Sequence, residues 1–263
     1  MSPRLLRILL PAATGALVIA CWYGLHFWLD EEMRFLLPTP TQMLQAFHDN
    51  GDALARATLN TTEGALLGFG CAVLIGFLLA VCLSLSSLVR ASLYPYLMIL
   101  QMMPVIVIAP MLVIWVGAGL KSVTVITFLI CFFPLAVNTT QGLVSTDRNL
   151  VELFAMWRAS RWQQLIHLRI PAALPYFFTG LRIAATLAPI GALVGDYTAG
   201  SSDGHGGGLG FQAIIYSSQA KYPALFATAA VTCVLGFLFT AAVLALSWLA
   251  LHHWHDSYER ADR

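Results

Sequence analysis

The residues of this chain that could do chemistry gather in one place. Positions 150–175, LVELFAMWRASRWQQLIHLRIPAALP, hold Glu152, Arg158, Arg161, His167 and Arg169, although charged residues are only 10% of the whole. These residues do not form a catalytic set. The sequence has no phosphate-binding glycine loop ending in Lys-Ser or Lys-Thr, no GxSxG nucleophile elbow and no HExxH zinc helix. Leu150, Phe154, Trp157 and Arg161 recur at intervals of four, three and four, the period of one helix face. Ser145, Thr146 and Asp147 are residue types that cap a helix start. The expected element is a short helix with one apolar, aromatic stripe, followed by Pro171 as its stop. A helix lying flat on a membrane surface would carry a similar pattern.

Two other clusters invite a chemical reading and give a plainer one. His252, His253 and His255 flank Trp254 and could hold a metal, but such a group also suits a helix end anchored at a membrane interface. The stretch GSSDGHGGGLG at 200–210 has the glycine content of a phosphate cradle without the lysine that would make it one. A flexible outer loop is expected there. Cys21, Cys71, Cys82, Cys131 and Cys233 form no CxxC pair, so neither disulfides nor structural zinc are expected.

The elements that must position these residues are membrane helices. Of the 263 residues, 59% are hydrophobic, and the mean hydropathy is +0.76. A soluble domain has about half apolar and roughly a quarter charged residues. Six apolar runs, near 5–29, 58–85, 93–116, 123–143, 172–195 and 224–251, are each long enough to cross a hydrocarbon layer of roughly 30 Å. The first is read as a retained helix, since it is too long for a signal-peptide core. With the N-terminus inside, ten of the fourteen Lys and Arg residues fall on the inner side. That bias places both termini, and the 150–175 segment, in the cytoplasm. No internal repeat divides the chain, so one membrane domain over residues 1–263 is expected.

Polar groups within spans mark a solute path or a contact between helices. Glu63, Gln101, Asn138, Thr139, Gln141, Arg182 and Asp196 qualify. Gln101 precedes Met102, Met103 and Pro104, a kinked and polarizable stretch suited to lining a path. Asn138 faces the same problem of burial. Asp196 is expected to end the fifth span, either as an outer gate or as a solvated helix end.

The register of the polar segment resembles that of binding-protein-dependent ABC importer permeases. Their cytoplasmic loop reads Glu-Ala-Ala, three residues, Gly, nine residues, Ile-x-Leu-Pro. Here Glu152-Leu153-Phe154 and Leu168-Arg169-Ile170-Pro171 keep those intervals, with Arg158 at the glycine position. LLPTPTQML, QMMPVIVIAPMLVIWVGAG, FFPLAVNTTQGL, LPYFFTGLRIAATLAPIGALVGDY and Gly208-Leu209-Gly210 extend the likeness over about 36–251. They look like the sulfonate, taurine, nitrate and thiamine-precursor permeases. MWRASRW and HHWHDS incline it toward the hydroxymethylpyrimidine group, with the sulfonate or taurine group as the alternative.

The resemblance implies an all-α polytopic protein of a bacterial inner membrane, with six transmembrane helices and a cytoplasmic coupling loop at about 145–171. It implies a transport subunit and not an enzyme, with ATP and Mg on a separate ATPase subunit, itself a dimer, and no cofactor in this chain. Phe154 and Trp157 would be the buried anchors in the ATPase groove, and Glu152, Arg158, Ser160 and Arg161 would make contacts around them. Gln101, Met102, Met103, Asn138 and Asp196 would belong to the translocation path. Further partners would be a second permease copy and a periplasmic or lipid-anchored solute-binding protein, with no nucleic acid. Without glycine at position 158, the loop is expected to continue as ordinary helix there. An intramembrane enzyme or an ion-coupled carrier would need catalytic pairs or internal repeats, which the sequence does not offer.

Overall fold

The computed structural model describes residues 3–200 and 207–251. Elements run in the order α1 (Pro3–Trp28), a 3-10 turn (Glu31–Leu36), α2 (Pro40–Asp49), α3 (Gly51–Leu85), α4 (Ser87–Leu100), α5 (Val105–Val116) and α6 (Leu120–Val144). Then follow α7 (Arg148–Met156), α8 (Arg161–Gln164), a π turn (Leu165–Arg169), α9 (Ile170–Ala199), α10 (Leu209–Ser218) and α11 (Tyr222–Leu251). The fold is all-α, with no strand among the described residues.

Lipid tails are as apolar as leucine, so helices in a membrane associate through close packing of small residues. The sequence supplies these at every fourth position. Gly64, Gly68, Ala72, Gly76 and Ala80 form a buried stripe on α3, and Gly180, Ala184, Ala188 and Ala192 form one on α9. Both stripes lie against α6, which packs most extensively on α9 and α3. The approach is close enough that a Cβ on Gly68 would sit 2.5 Å from Thr127 Cβ, and one on Gly195 would sit 2.7 Å from Val123 Cα. α3, α6 and α9 are therefore the rigid centre. Larger residues fill the periphery: Phe69 meets Phe239 of α11 edge-on at 5.4 Å, and Phe77 meets Phe177 of α9 at 5.7 Å. α1 is mostly exposed and is pinned at its C-terminal end, where Trp22 Nε1 donates to the Pro38 carbonyl at 3.0 Å.

Among the described residues five helices are long and apolar enough to cross a membrane, and α4 with α5 makes a sixth candidate that is broken by a 99° bend. This corrects the reading of 93–116 as one kinked span. Pro104 has no N–H to donate and its ring disfavours helical backbone at Met103, so the helix stops at Leu100 and restarts at Val105. A second correction concerns Pro171, which does not stop the segment before it. Helix runs from Arg161 to Ala199. The Ile170 N–H reaches back five residues to the Leu165 carbonyl, and this widened π turn admits the proline ring in the first turn of α9.

Candidate functional site: the loop between α6 and α9, a membrane cleft and a buried node

The loop between α6 and α9 is built from local hydrogen bonds. Asp147 Oδ1 accepts from the Asn149 amide at 2.8 Å and starts α7. Along that helix Arg148 Nε pairs with Glu152 Oε1 at 2.9 Å. At its end the Arg158 amide donates to Ala155 O at 2.9 Å and the Ala159 amide to Phe154 O at 3.0 Å, while Arg158 has φ of 54°. Those two bonds around a left-handed residue make a Schellman motif. The expectation of continuous helix through Arg158 is thus overturned: the turn forms at the position where glycine would be easiest, and arginine carries the strain. Arg161 consequently leaves the Leu150–Phe154–Trp157 stripe and opens α8, where Ser160 caps the helix in a reciprocal box with Gln163 at 3.2 and 2.8 Å.

The result is a rigid display of uncovered apolar side chains. Trp157 is 84% exposed, Met156 80% and Trp162 62%. Phe154 is half-buried and, with Leu153, Trp157, Gln163 and His167, lines a cleft of about 360 Å³. Glu152, Arg158 and Arg161 are exposed around it. Behind this face the loop is fixed to the bundle. Leu165 packs with Ala80, Leu143 and Ala173, and Arg169 Nη1 donates to the Ser84 carbonyl at the end of α3 at 2.8 Å. Sequence reasoning missed that clasp. Its only sign was an arginine three residues before an apolar span.

Of the path residues, the structure brings three together. Gln101 and Met102, in the break between α4 and α5, line a cleft of about 480 Å³ with Phe133, Asn138, Ile183 and Leu187. Asn138 Nδ2 donates to Pro134 O at 2.7 Å, which leaves the amide oxygen as an acceptor. Met103 is exposed but does not line the cleft. Thr139 is buried and turned onto its own helix, donating to Leu135 O.

Asp196 lies elsewhere. α9 continues past it to Ala199, and it is only 4% exposed, so it is not a solvated helix end. Thr61 Oγ1 donates to Asp196 Oδ2 at 2.6 Å, the Leu209 amide donates to Thr61 Oγ1 at 2.8 Å, and the Gly210 amide donates to the same carboxylate. A Cβ on Gly208 would overlap the Asp196 carboxylate, and one on Gly210 would overlap the Leu193 carbonyl. Gly207 to Gly210 are buried. The end of the glycine-rich stretch is therefore tied down, while 201–206, with Gly206, and the histidine cluster at 252–255 lie outside the described residues. Glu63, two residues from Thr61, is exposed on the other side of α3.

The combination of a small-residue bundle, a broken span beside an amide-bearing cleft and an uncovered aromatic loop is that of a membrane transport subunit with an outside partner. The profile of the binding-protein-dependent transport system inner membrane component matches residues 72–254, which include the whole loop, the cleft, Asp196 and the Gly207–Gly210 stretch, while Thr61 lies before the matched region. The chain belongs to that family.

Among its relatives, this permease is 36% identical over 218 residues to the formylaminopyrimidine transport permease protein ThiX of Halalkalibacterium halodurans, covering 82% of this chain and 85% of the other. It is 34% identical over 183 residues to the riboflavin transport system permease protein RibX of Chloroflexus aurantiacus, covering 67% and 68%. The taurine transport system permease protein TauC of Escherichia coli is 26% identical over 262 residues, covering 96% and 92%. The protein is thus an ABC importer permease with multiple spans in the inner membrane, and its family works with solute-binding and ATPase partners.

Proposed function

We propose that this permease imports a small, uncharged heteroaromatic solute of the pyrimidine type, a thiamine precursor such as a hydroxymethyl- or formylaminopyrimidine. The observation that carries this reading is the lining of the α4/α5–α6–α9 cleft. Two amides, Gln101 and Asn138, project among apolar walls that include Phe133, and no charged side chain lines it. Amides can both donate to and accept from ring nitrogens and amino groups, and an aromatic wall gives a face for stacking. A sulfonate, nitrate or bicarbonate ion would leave its charge uncompensated there. The 36% identity to a formylaminopyrimidine permease points the same way. The taurine and sulfonate reading rests on more distant relatives.

In this reading residues 1–263 act as one membrane domain with both termini in the cytoplasm. Two copies face each other across the path, each docking through Phe154, Met156 and Trp157 onto a subunit of a separate ATPase dimer that holds ATP and Mg. A periplasmic or lipid-anchored solute-binding protein delivers solute at the Asp196–Gly208 end. Labelled uptake in cells lacking other routes tests the solute. A pyrimidine precursor should enter and unlabelled taurine should not compete, and Gln101→Leu should cut uptake about tenfold, the effect of losing one buried polar contact of about 1.4 kcal/mol. Taurine uptake that excludes the pyrimidine would reverse the assignment.

A further inference from the structure

A second cleft of about 480 Å³ lies between α4 and α6, lined by Ser87, Arg90, Tyr94, Pro95, Thr140 and Gln141. It sits at the coupling-loop end of the bundle. Ser87 follows by three residues the Ser84 whose carbonyl holds Arg169, and α6 ends at Val144, just before Asp147. The cleft is separate from the one at Gln101 and Asn138 and shares no lining residue with it.

Its polar side chains have an unusual balance. Thr140 Oγ1 is committed to Ala136 O at 2.7 Å. The side chains of Ser87, Arg90, Tyr94 and Gln141 have no hydrogen-bond or ion-pair partner among the described residues, and no Asp or Glu lines the space. Arg90 is a half-buried residue, and no acidic side chain lining the cleft balances its charge. The first turn of α4 adds the positive end of a helix to the same place. All of this favours an anion and nothing opposes one. A basic recess between helices at the inner membrane surface is a known form of site for phosphate-bearing headgroups.

We propose that this cleft binds one phosphate-like monoanion, Arg90 forming the ion pair and Tyr94 and Gln141 donating to its oxygens. One positive charge suits one phosphodiester and not a doubly charged group. Two sources share that chemistry: the headgroup of an anionic phospholipid, whose tails would run along the apolar Ala91 and Pro95 side, and a soluble phosphate. The site stands apart from the solute assignment.

Native mass spectrometry of the full-length permease distinguishes the sources, using dioleoylphosphatidylglycerol, dioleoylphosphatidylethanolamine and inorganic phosphate as probes. We expect one phosphatidylglycerol per chain, favoured about fivefold over phosphatidylethanolamine, the effect of about one surface charge. Arg90→Gln should abolish the preference, Arg90→Lys should keep most of it and Tyr94→Phe should weaken it. Tryptophan-fluorescence melts confirm that each variant is folded. Arg90-dependent binding of inorganic phosphate without lipid preference would assign the soluble anion. Equal binding of every probe by wild type and by folded Arg90→Gln and Arg90→Lys would overturn the site.

Discussion

The two ends of the α8–α9 helix solve opposite problems. At the coupling loop, backbone groups are satisfied locally by caps and a Schellman turn, within a few residues of sequence, and the apolar side chains are left uncovered. At the Asp196 node, Thr61, Asp196 and Gly207 to Gly210 are all buried, and the hydrogen bonds join residues 135 and 148 positions apart. The two ends would therefore fail differently. A loop that completes its own backbone can lose a side chain and stay as stable, whereas a node that joins α3, α9 and α10 through one carboxylate loses stability with any partner.

The largest effect should therefore come from Gly208→Val. A Cβ there overlaps the Asp196 carboxylate, and overpacking of a tight interior costs about 3 kcal/mol. Size-exclusion profiles should show little folded permease, and a normal profile would mean that the node yields. Thr61→Val keeps the volume but removes the acceptor for Leu209 and the donor to Asp196. Leaving such groups unsatisfied costs about 2 kcal/mol, seen as a lowered melting temperature with assembly onto the ATPase intact. Arg158→Gly should act in the other direction and least. It relieves a left-handed non-glycine residue, worth about 1 kcal/mol, so the loop should resist proteolysis longer. A faster-cleaved loop would argue that arginine is held there by a contact.

How much of this was legible in the sequence follows the same division. Six apolar runs and an arginine bias are properties of local composition, so the spans and the loop could be read directly. The Leu150–Phe154–Trp157 part of the loop's stripe was legible too, because a helix face repeats at short intervals, but Arg161 opens a second helix and is not on it. Arg158 was misread because a positive φ in arginine is paid for by the two carbonyl acceptors around it, and these are set by geometry, not residue type. Asp196 and Thr61 were separated by more than a hundred residues, and nothing local ties a threonine on α3 to the amide of Leu209. A Gly-Leu-Gly stretch beyond an aspartate was the sole hint. The bend at Gln101–Pro104 was half-legible, since proline announces a break but not its 99° angle.

In the proposed function the uncovered aromatic face of α7 passes the work of ATP hydrolysis into the bundle. Trp157→Ala tests it most directly, since a side chain that is 84% exposed contributes less than about 0.5 kcal/mol to the fold of the free chain but about 2 kcal/mol as a buried anchor in a partner's groove. The measurement is stimulation of ATP hydrolysis by liganded solute-binding protein in the reconstituted complex, at matched permease content and melting temperature. Stimulation should collapse while the permease melts as wild type does. Full stimulation with Trp157→Ala would contradict it and return the aromatic face to the membrane surface.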